Sequence, residues 1–123
     1  MKQIRDPIYC YIDIEDEYIS IINSAEFQRL RNIRQTGYSS LYPSALHNRF
    51  VHSLGVFYLG KKAFSNFKRN VGNDYKDYAW DKYGKTFILA CLLHDVGHSP
   101  FSHTGEKFYE QSTKFINEIG YSL

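Results

Sequence analysis

Five histidines of the 123-residue chain fall inside one stretch, with none in the first 46 or the last 20 positions. One of them has a chemistry-bearing neighbour: His94 stands next to Asp95, directly after the apolar run of residues 87–93. An imidazole and a carboxylate in such surroundings carry a desolvation cost unless each has a partner, and a divalent cation is a partner for both. Adjacent helical side chains diverge by about a hundred degrees, so both reach one ion only where the helix ends, and Gly97 predicts that end.

A third donor is available from His52, on a separate apolar segment. Two imidazoles and one carboxylate form a mixed nitrogen and oxygen site that suits Mn, Fe or Zn and, less well, Mg. The alternative is structural: His52 is a hydrogen-bonded core histidine and the His94-Asp95 pair a helix C-cap.

His98 follows His94 by four residues, a spacing shared with His-Glu-x-x-His proteases. Gly97 and Pro100 interrupt the helix and the glutamate is missing, so the pattern disfavours a zinc protease. The pattern therefore leaves His98 available for another role.

His103 and Glu106 lie three apart, a spacing that lets a carboxylate orient an imidazole and raise its basicity. The pair resembles a general acid/base pair, and the alternative is a surface cap. Arg49, three residues before His52, offers a forked donor for phosphate oxygens, or is an ordinary surface arginine.

The first half of the chain predicts short elements. Residues 6–14 alternate polar and apolar side chains, which predicts a strand or one arm of a hairpin. From Glu17 the apolar positions take helical spacing, and Ser24 is the predicted N-cap of a second helix that Gly37 ends. Residues 38–44 contain turn formers and a proline and predict a loop.

The second half predicts longer helices. From about Asn48 two apolar stripes predict a helix buried on two sides. The stripes are Val51, Leu54, Gly55, Tyr58, Leu59 and Ala63 in one, and Phe50, Phe57 and Phe64 in the other. Residues 66–81 predict a surface excursion, residues 87–93 a core helix that leads into His94, and the residues from His103 onward an amphipathic stretch.

Composition limits the function classes. Lys and Arg number 15 against 13 Asp and Glu, and this net charge of +2 does not by itself indicate nucleic acid or a membrane. A local excess of arginine in residues 24–49 suits phosphate-bearing ligands, or is a solvated helix face, and is the sole support for nucleic-acid binding. Two distant cysteines and the lack of a signal or spanning segment predict one cytoplasmic domain without a disulfide framework.

Four blocks of sequence occur in an informative order: DPI at residues 6–8, FQRLRNIRQTG at 27–37, HNRFVHSLGV at 47–56 and HDVGHSPFSH at 94–103. Together they resemble the HD-domain deoxynucleotide triphosphohydrolases. The resemblance implies an all-α HD-domain helical bundle with a small N-terminal β element. It also implies site residues: His52, His94 and Asp95 as metal ligands, His103 with Glu106 as the catalytic pair, Arg49 and His98 as phosphate contacts, Gln35 as a deoxyribose contact, and Gln28 and Arg31 as contacts of a regulatory nucleotide.

The implied reaction is hydrolysis of a (deoxy)nucleoside triphosphate to a nucleoside and inorganic triphosphate, with a divalent metal. The family's fourth metal ligand is an aspartate farther downstream than Leu123. We therefore expect residues 1–123 to be a single, incomplete HD domain, completed by a longer protein or by another subunit of a homo-oligomer. The alternative is a truncated HD protein that binds nucleotide or metal with little turnover and acts through a partner protein.

Overall fold

The computed structural model describes residues 1–36, 41–43, 45–71 and 80–100. Strands β1 (Lys2–Asp6) and β2 (Cys10–Ile14) open the chain, followed by helices α1 (Asp16–Ile22) and α2 (Ala25–Gln28) and a 3-10 helix (Arg29–Asn32). Two longer helices follow, α3 (Arg49–Val71) and α4 (Trp80–Leu93). The predicted all-α fold with a small N-terminal β element is confirmed.

The two strands form an antiparallel hairpin in which Asp6 lies opposite Cys10. Asp6 stabilises the turn, because its carboxylate accepts hydrogen bonds from the backbone N–H groups of Ile8 (2.8 Å) and Tyr9 (2.9 Å). Alternation along β2 turns Ile12 and Ile14 inward, where both are almost fully buried. The strand or hairpin arm predicted over residues 6–14 is confirmed at β2 and wrong at residues 7–9, which form the turn between the two strands. The hairpin covers one side of the core.

The second predicted helix begins as expected but ends early. The Ser24 hydroxyl accepts a hydrogen bond from the Phe27 N–H at 3.3 Å, which confirms Ser24 as the N-cap of α2. The predicted end at Gly37 is wrong, because the chain tightens into the 3-10 helix at Arg29 and is extended at Ile33. Helical hydrogen bonding stops there because the Ile33 carbonyl accepts from the N–H of Arg49 at 2.8 Å.

A short bridge follows directly. Arg34 pairs with Asn48 in antiparallel fashion, and the Gln35 N–H donates to the His47 carbonyl at 3.2 Å. The two ends of the segment of residues 36–46 are therefore held side by side at the start of α3.

Helix α3 is longer and more exposed than its sequence predicts. Its first turn is capped by Asn48, whose Oδ1 accepts from the Val51 N–H at 3.0 Å. The predicted burial on two sides is wrong in part, because Leu59 is 49% exposed. The predicted surface excursion is also wrong for residues 66–71, which continue the helix because Phe67 packs edge-on against Trp80, 5.1 Å away, on α4.

Helix α4 begins at Trp80, seven residues before the predicted core helix, and it is not apolar on every side. Leu92 is fully buried, whereas Phe87 is 45% exposed. The helix crosses α3 closely at Gly60, where an added Cβ would lie 2.7 Å from the Cys91 sulfur. It ends at Leu93, as predicted from the position of Gly97, and a turn follows over residues 94–97.

One core joins these elements. Its buried apolar members come from the hairpin, α1, α2 with the 3-10 helix and its exit, α3 and α4: Ile12, Ile14, Tyr18, Ile22, Phe27, Leu30, Ile33, Phe50, Leu54, Phe57 and Leu92. Among the helices described, none is long and apolar enough to cross a membrane.

Candidate metal centre

The end of α4 fixes the orientation of the His94 ring. Its Nδ1 lies 2.8 Å from the carbonyl oxygen of Cys91, one turn back in the helix. A carbonyl only accepts hydrogen bonds, so Nδ1 carries the proton and Nε2 presents its lone pair on the other side of the ring. A metal-binding histidine is commonly oriented in this way, by a hydrogen bond from its second nitrogen to a backbone carbonyl.

Three donor atoms converge beyond that ring. Nε2 of His52, on α3, lies 3.2 Å from Nε2 of His94. Oδ2 of Asp95 lies 3.7 Å from the His52 nitrogen and 3.5 Å from the His94 nitrogen. Atoms with these separations lie on a circle of radius about 2.0 Å, and divalent zinc binds nitrogen and carboxylate oxygen at about 2.0–2.2 Å. The three residues fit a divalent cation, and the prediction that His94 and Asp95 share a site where the helix ends agrees with this geometry.

Burial keeps the His52 imidazole neutral. Loss of solvent is the main cause that lowers the pKa of His52 below its ordinary value of 6.5. The Asp95 carboxylate opposes this change, while the neighbouring His94, Arg49 and His47 reinforce it. A neutral imidazole is the form that binds metals, so the surroundings of His52 favour its ligand state at neutral pH.

The third ligand is paired with a buried arginine. Nη1 of Arg49 donates to Oδ2 of Asp95 at 2.8 Å, and the two side chains are 4% and 11% exposed. This contact joins the first turn of α3 to the end of α4 and fixes the carboxylate beside the two imidazoles. It also pairs the negative charge of the carboxylate with the positive charge of the guanidinium.

Comparisons with known proteins show the family of the chain. A model of the HD domain matches residues 49–122, a range that begins at the buried arginine and contains all three donors. The chain belongs to the HD-domain family. The resemblance to this family is confirmed, and the matched range contains the His94-Asp95 pair.

Relatives of this HD domain include nucleotide hydrolases. The chain is 39% identical over 105 residues to deoxynucleoside triphosphate triphosphohydrolase SAMHD1 of Homo sapiens. The alignment covers 84% of this chain and 16% of the human protein. The SAMHD1 homologue of Dictyostelium discoideum is 36% identical over 121 residues, 95% of this chain and 23% of that protein.

A solved structure shares the fold as well. A crystal structure of a phosphohydrolase from Bacteroides thetaiotaomicron matches with a TM-score of 0.75 and 41% identity, covering 86% of this chain and 26% of that one. The chain thus spans about a quarter or less of the length of each of these relatives.

Two further predicted contact residues, Gln35 and His98, are not among the three donors. Gln35 sits on the short bridge before α3, where its N–H bonds the His47 carbonyl. His98 ends the turn after α4: its N–H donates to the Asp95 carbonyl at 2.9 Å, and its ring Nδ1 lies 3.0 Å from the Ser99 carbonyl. Their roles toward a nucleotide stay predictions.

Gln28 and Arg31 hold each other in place at the 3-10 helix. Nε of Arg31 donates to Oε1 of Gln28 at 2.7 Å, and Nε2 of Gln28 donates to the Ile22 carbonyl at 2.7 Å. The Arg31 guanidinium also lies 3.8 Å from the centre of the Phe50 ring, a cation–π contact. The structure supports a fixed polar pair here, and its assignment to a regulatory nucleotide stays a prediction.

The predicted catalytic pair, His103 and Glu106, lies outside the described residues. Sequence reasoning missed a different residue, Arg29, which it covered only as part of an arginine-rich face. One nitrogen of Arg29 donates to the carbonyls of Val96 and His98, on the turn beyond the metal ligands. No local signal identifies this contact, because the partners lie 67 and 69 residues away and accept through the backbone.

Proposed function

We propose that this chain forms the metal-binding part of an HD phosphohydrolase, which hydrolyses (deoxy)nucleoside triphosphates to a nucleoside and inorganic triphosphate. The convergence of His52, His94 and Asp95 on one point, with distances that fit a divalent cation, carries the proposal. The names of the relatives supply the substrate class, since two are deoxynucleoside triphosphate triphosphohydrolases and a third is a phosphohydrolase.

The charge balance of the site supports a polyphosphate substrate. Asp95 and Arg49 cancel each other's charge, and the two imidazoles are neutral when they act as ligands. A bound divalent cation therefore leaves the group with a net charge of +2, concentrated at a partly open edge where each histidine side chain is 36% exposed. Such a positive point attracts anionic phosphate and disfavours uncharged substrates.

The residues of the site have different roles in the proposed reaction. The Cys91 carbonyl orients His94, and Arg49 orients Asp95, so the donor atoms need no rearrangement when a cation binds. A divalent cation held there would lower the pKa of a bound water molecule and neutralise negative charge on the phosphates. Hydrogen-bond donors and charged groups that are already oriented toward the charge of the transition state lower the barrier, because they do not reorganise during the reaction.

The remaining parts of the proposal come from the resemblance. His98 contacts a substrate phosphate, His103 with Glu106 moves a proton, and Gln35 contacts the sugar. A fourth ligand comes from a longer protein or a second subunit, and the cation is Mn, Fe, Mg or Zn.

The test is release of inorganic triphosphate from a mixture of the four deoxynucleoside triphosphates in the presence of Mn²⁺. We expect release by the unaltered protein and none above background by His94→Ala. His47→Ala is the matched control, because it removes an imidazole from the same part of the fold outside the donor group, and it is expected to retain the activity.

Two outcomes contradict the proposal. Equal release by the unaltered protein and His94→Ala would show that the three-donor site does not perform the reaction. Mn²⁺ binding that His94→Ala abolishes, with no release of triphosphate, would refute turnover and favour the alternative of an HD protein that binds ligands and acts through a partner.

A further inference from the structure

We propose that Arg29 is a positioning residue, which clamps the turn of residues 94–98 and so fixes His98 beside the metal centre. Nη2 of Arg29 lies 2.7 Å from the Val96 carbonyl oxygen and 2.9 Å from the His98 carbonyl oxygen. This nitrogen carries two hydrogens, one for each acceptor, and its charge strengthens both bonds. The consequence for substrate rests on the proposed function, whereas the clamp itself does not.

The turn has a reason to need an outside clamp. Its two backbone bonds, from Val96 N–H to the Leu93 carbonyl (3.1 Å) and from His98 N–H to the Asp95 carbonyl (2.9 Å), do not involve the carbonyls of Val96 and His98, which are the two groups that Arg29 bonds. Gly97 lacks the left-handed φ that favours glycine, and an added Cβ would meet no described atom within 4 Å. Glycine here adds backbone freedom that folding must remove, and Arg29 holds the carbonyls on both sides of it.

The metal ligands are anchored separately from the clamp. His94 is oriented by the Cys91 carbonyl, and Asp95 is held by Arg49. Both anchors lie on α3 or α4 rather than on the segment that carries Arg29. Loss of the clamp should therefore loosen the turn from Val96 onward and leave metal binding largely intact, which separates positioning from a general loss of structure.

The experiment combines hydrogen exchange of the peptide covering residues 94–100, Mn²⁺ affinity, and affinity for inorganic triphosphate in the presence of Mn²⁺. In Arg29→Ala we expect exchange at the turn to speed up by about tenfold or more, as loss of two charge-assisted bonds implies. Mn²⁺ affinity should stay within about twofold, while triphosphate affinity falls by about tenfold through the loosened His98.

Two variants sharpen the result. Arg29→Lys keeps the charge and can reach one carbonyl, so its exchange rate should fall between those of the unaltered protein and Arg29→Ala. Arg34→Ala removes the same charge from an exposed position on the same segment without touching the turn. It should leave the exchange rate unchanged and weaken triphosphate binding less than Arg29→Ala does.

The outcomes distinguish the clamp from the proposed function. Unchanged exchange in Arg29→Ala, or equal losses of triphosphate affinity in Arg29→Ala and Arg34→Ala, would overturn the inference. Should Arg29→Ala fail to fold, exchange in Arg29→Lys equal to that of the unaltered protein would overturn it as well. An unaltered protein that neither binds nor releases triphosphate would refute the proposed function, while faster exchange in Arg29→Ala would still support the clamp.

Discussion

Removing the arginine that pairs with the metal-ligand carboxylate should produce a stability loss that a divalent cation partly repairs. The perturbation is Arg49→Ala. In the folded protein this side chain donates to Asp95 at 2.8 Å, with exposures of 4% and 11%, so truncation leaves a buried carboxylate without its counter-charge. Breaking a buried ion pair from one side costs about 3–5 kcal/mol, far more than the 0–1 kcal/mol of an exposed pair.

A cation changes this balance because it replaces the missing positive charge. Arg49 repels a dication in the unaltered protein, and its removal lets the Asp95 carboxylate interact with the cation alone. A tenfold gain in cation affinity corresponds to about 1.4 kcal/mol of added stability at saturation. We therefore expect the difference in unfolding free energy between the two proteins to narrow by about that amount when Mn²⁺ is present.

Urea unfolding measured with EDTA and with saturating Mn²⁺ checks both parts. Arg49→Lys serves as the control that keeps a charge, and its loss should be smaller than that of Arg49→Ala. A loss below about 1 kcal/mol for Arg49→Ala in EDTA would refute the buried-pair argument, since that is the range of a surface pair. A gap that widens with Mn²⁺ would show that Arg49 supports the cation rather than competing with it.

Three further predictions follow from particular contacts. Gly60→Ala should lower the unfolding free energy by about 1–3 kcal/mol in urea titrations, because the new methyl group would meet the Cys91 sulfur at 2.7 Å. Gly97→Ala is the control and should have little effect, so equal losses of unfolding free energy in the two variants would contradict this argument. Ser24→Ala should cost about 0.5–2 kcal/mol through loss of the cap of α2, and a change below that range would show that the cap contributes little. Because burial lowers the pKa of His52 in the folded state, the unfolded state binds more protons just below pH 6.5, so the unfolding free energy in EDTA should fall as the pH drops through that window. His52→Gln should remove this pH dependence, and a variant with the same pH profile as the unaltered protein would refute the assignment to His52.

The sequence predicts best where one residue decides the local structure. Ser24 begins a helix because its hydroxyl accepts from the backbone two to three residues on, and this requires nothing from the rest of the fold. Alternation buries Ile12 and Ile14 on one face of β2 for a similar reason. The convergence of His94 and Asp95 was predictable, because adjacent residues can share one ion only where their helix ends.

Prediction failed where distant backbone groups decide the outcome. The second helix stops before Gly37 because the Ile33 carbonyl bonds the Arg49 N–H, which periodicity cannot indicate. The start of α4 at Trp80 was missed because packing against Phe67 outweighs the polar composition of its first turns. The pairing of Arg49 with Asp95, 46 residues away, was likewise beyond local reasoning.

The bridge between Arg34 and Asn48 has a consequence for how this HD domain can vary. Within this bridge the Gln35 N–H donates to the His47 carbonyl, and next to it the Arg49 N–H donates to the Ile33 carbonyl. The cost of closing a loop rises by only about 0.6 kcal/mol for each doubling of its length. The number of residues between Gln35 and His47 can therefore change while the bridge still holds the start of α3, so the positions of Arg49 and His52 do not depend on the length of that segment.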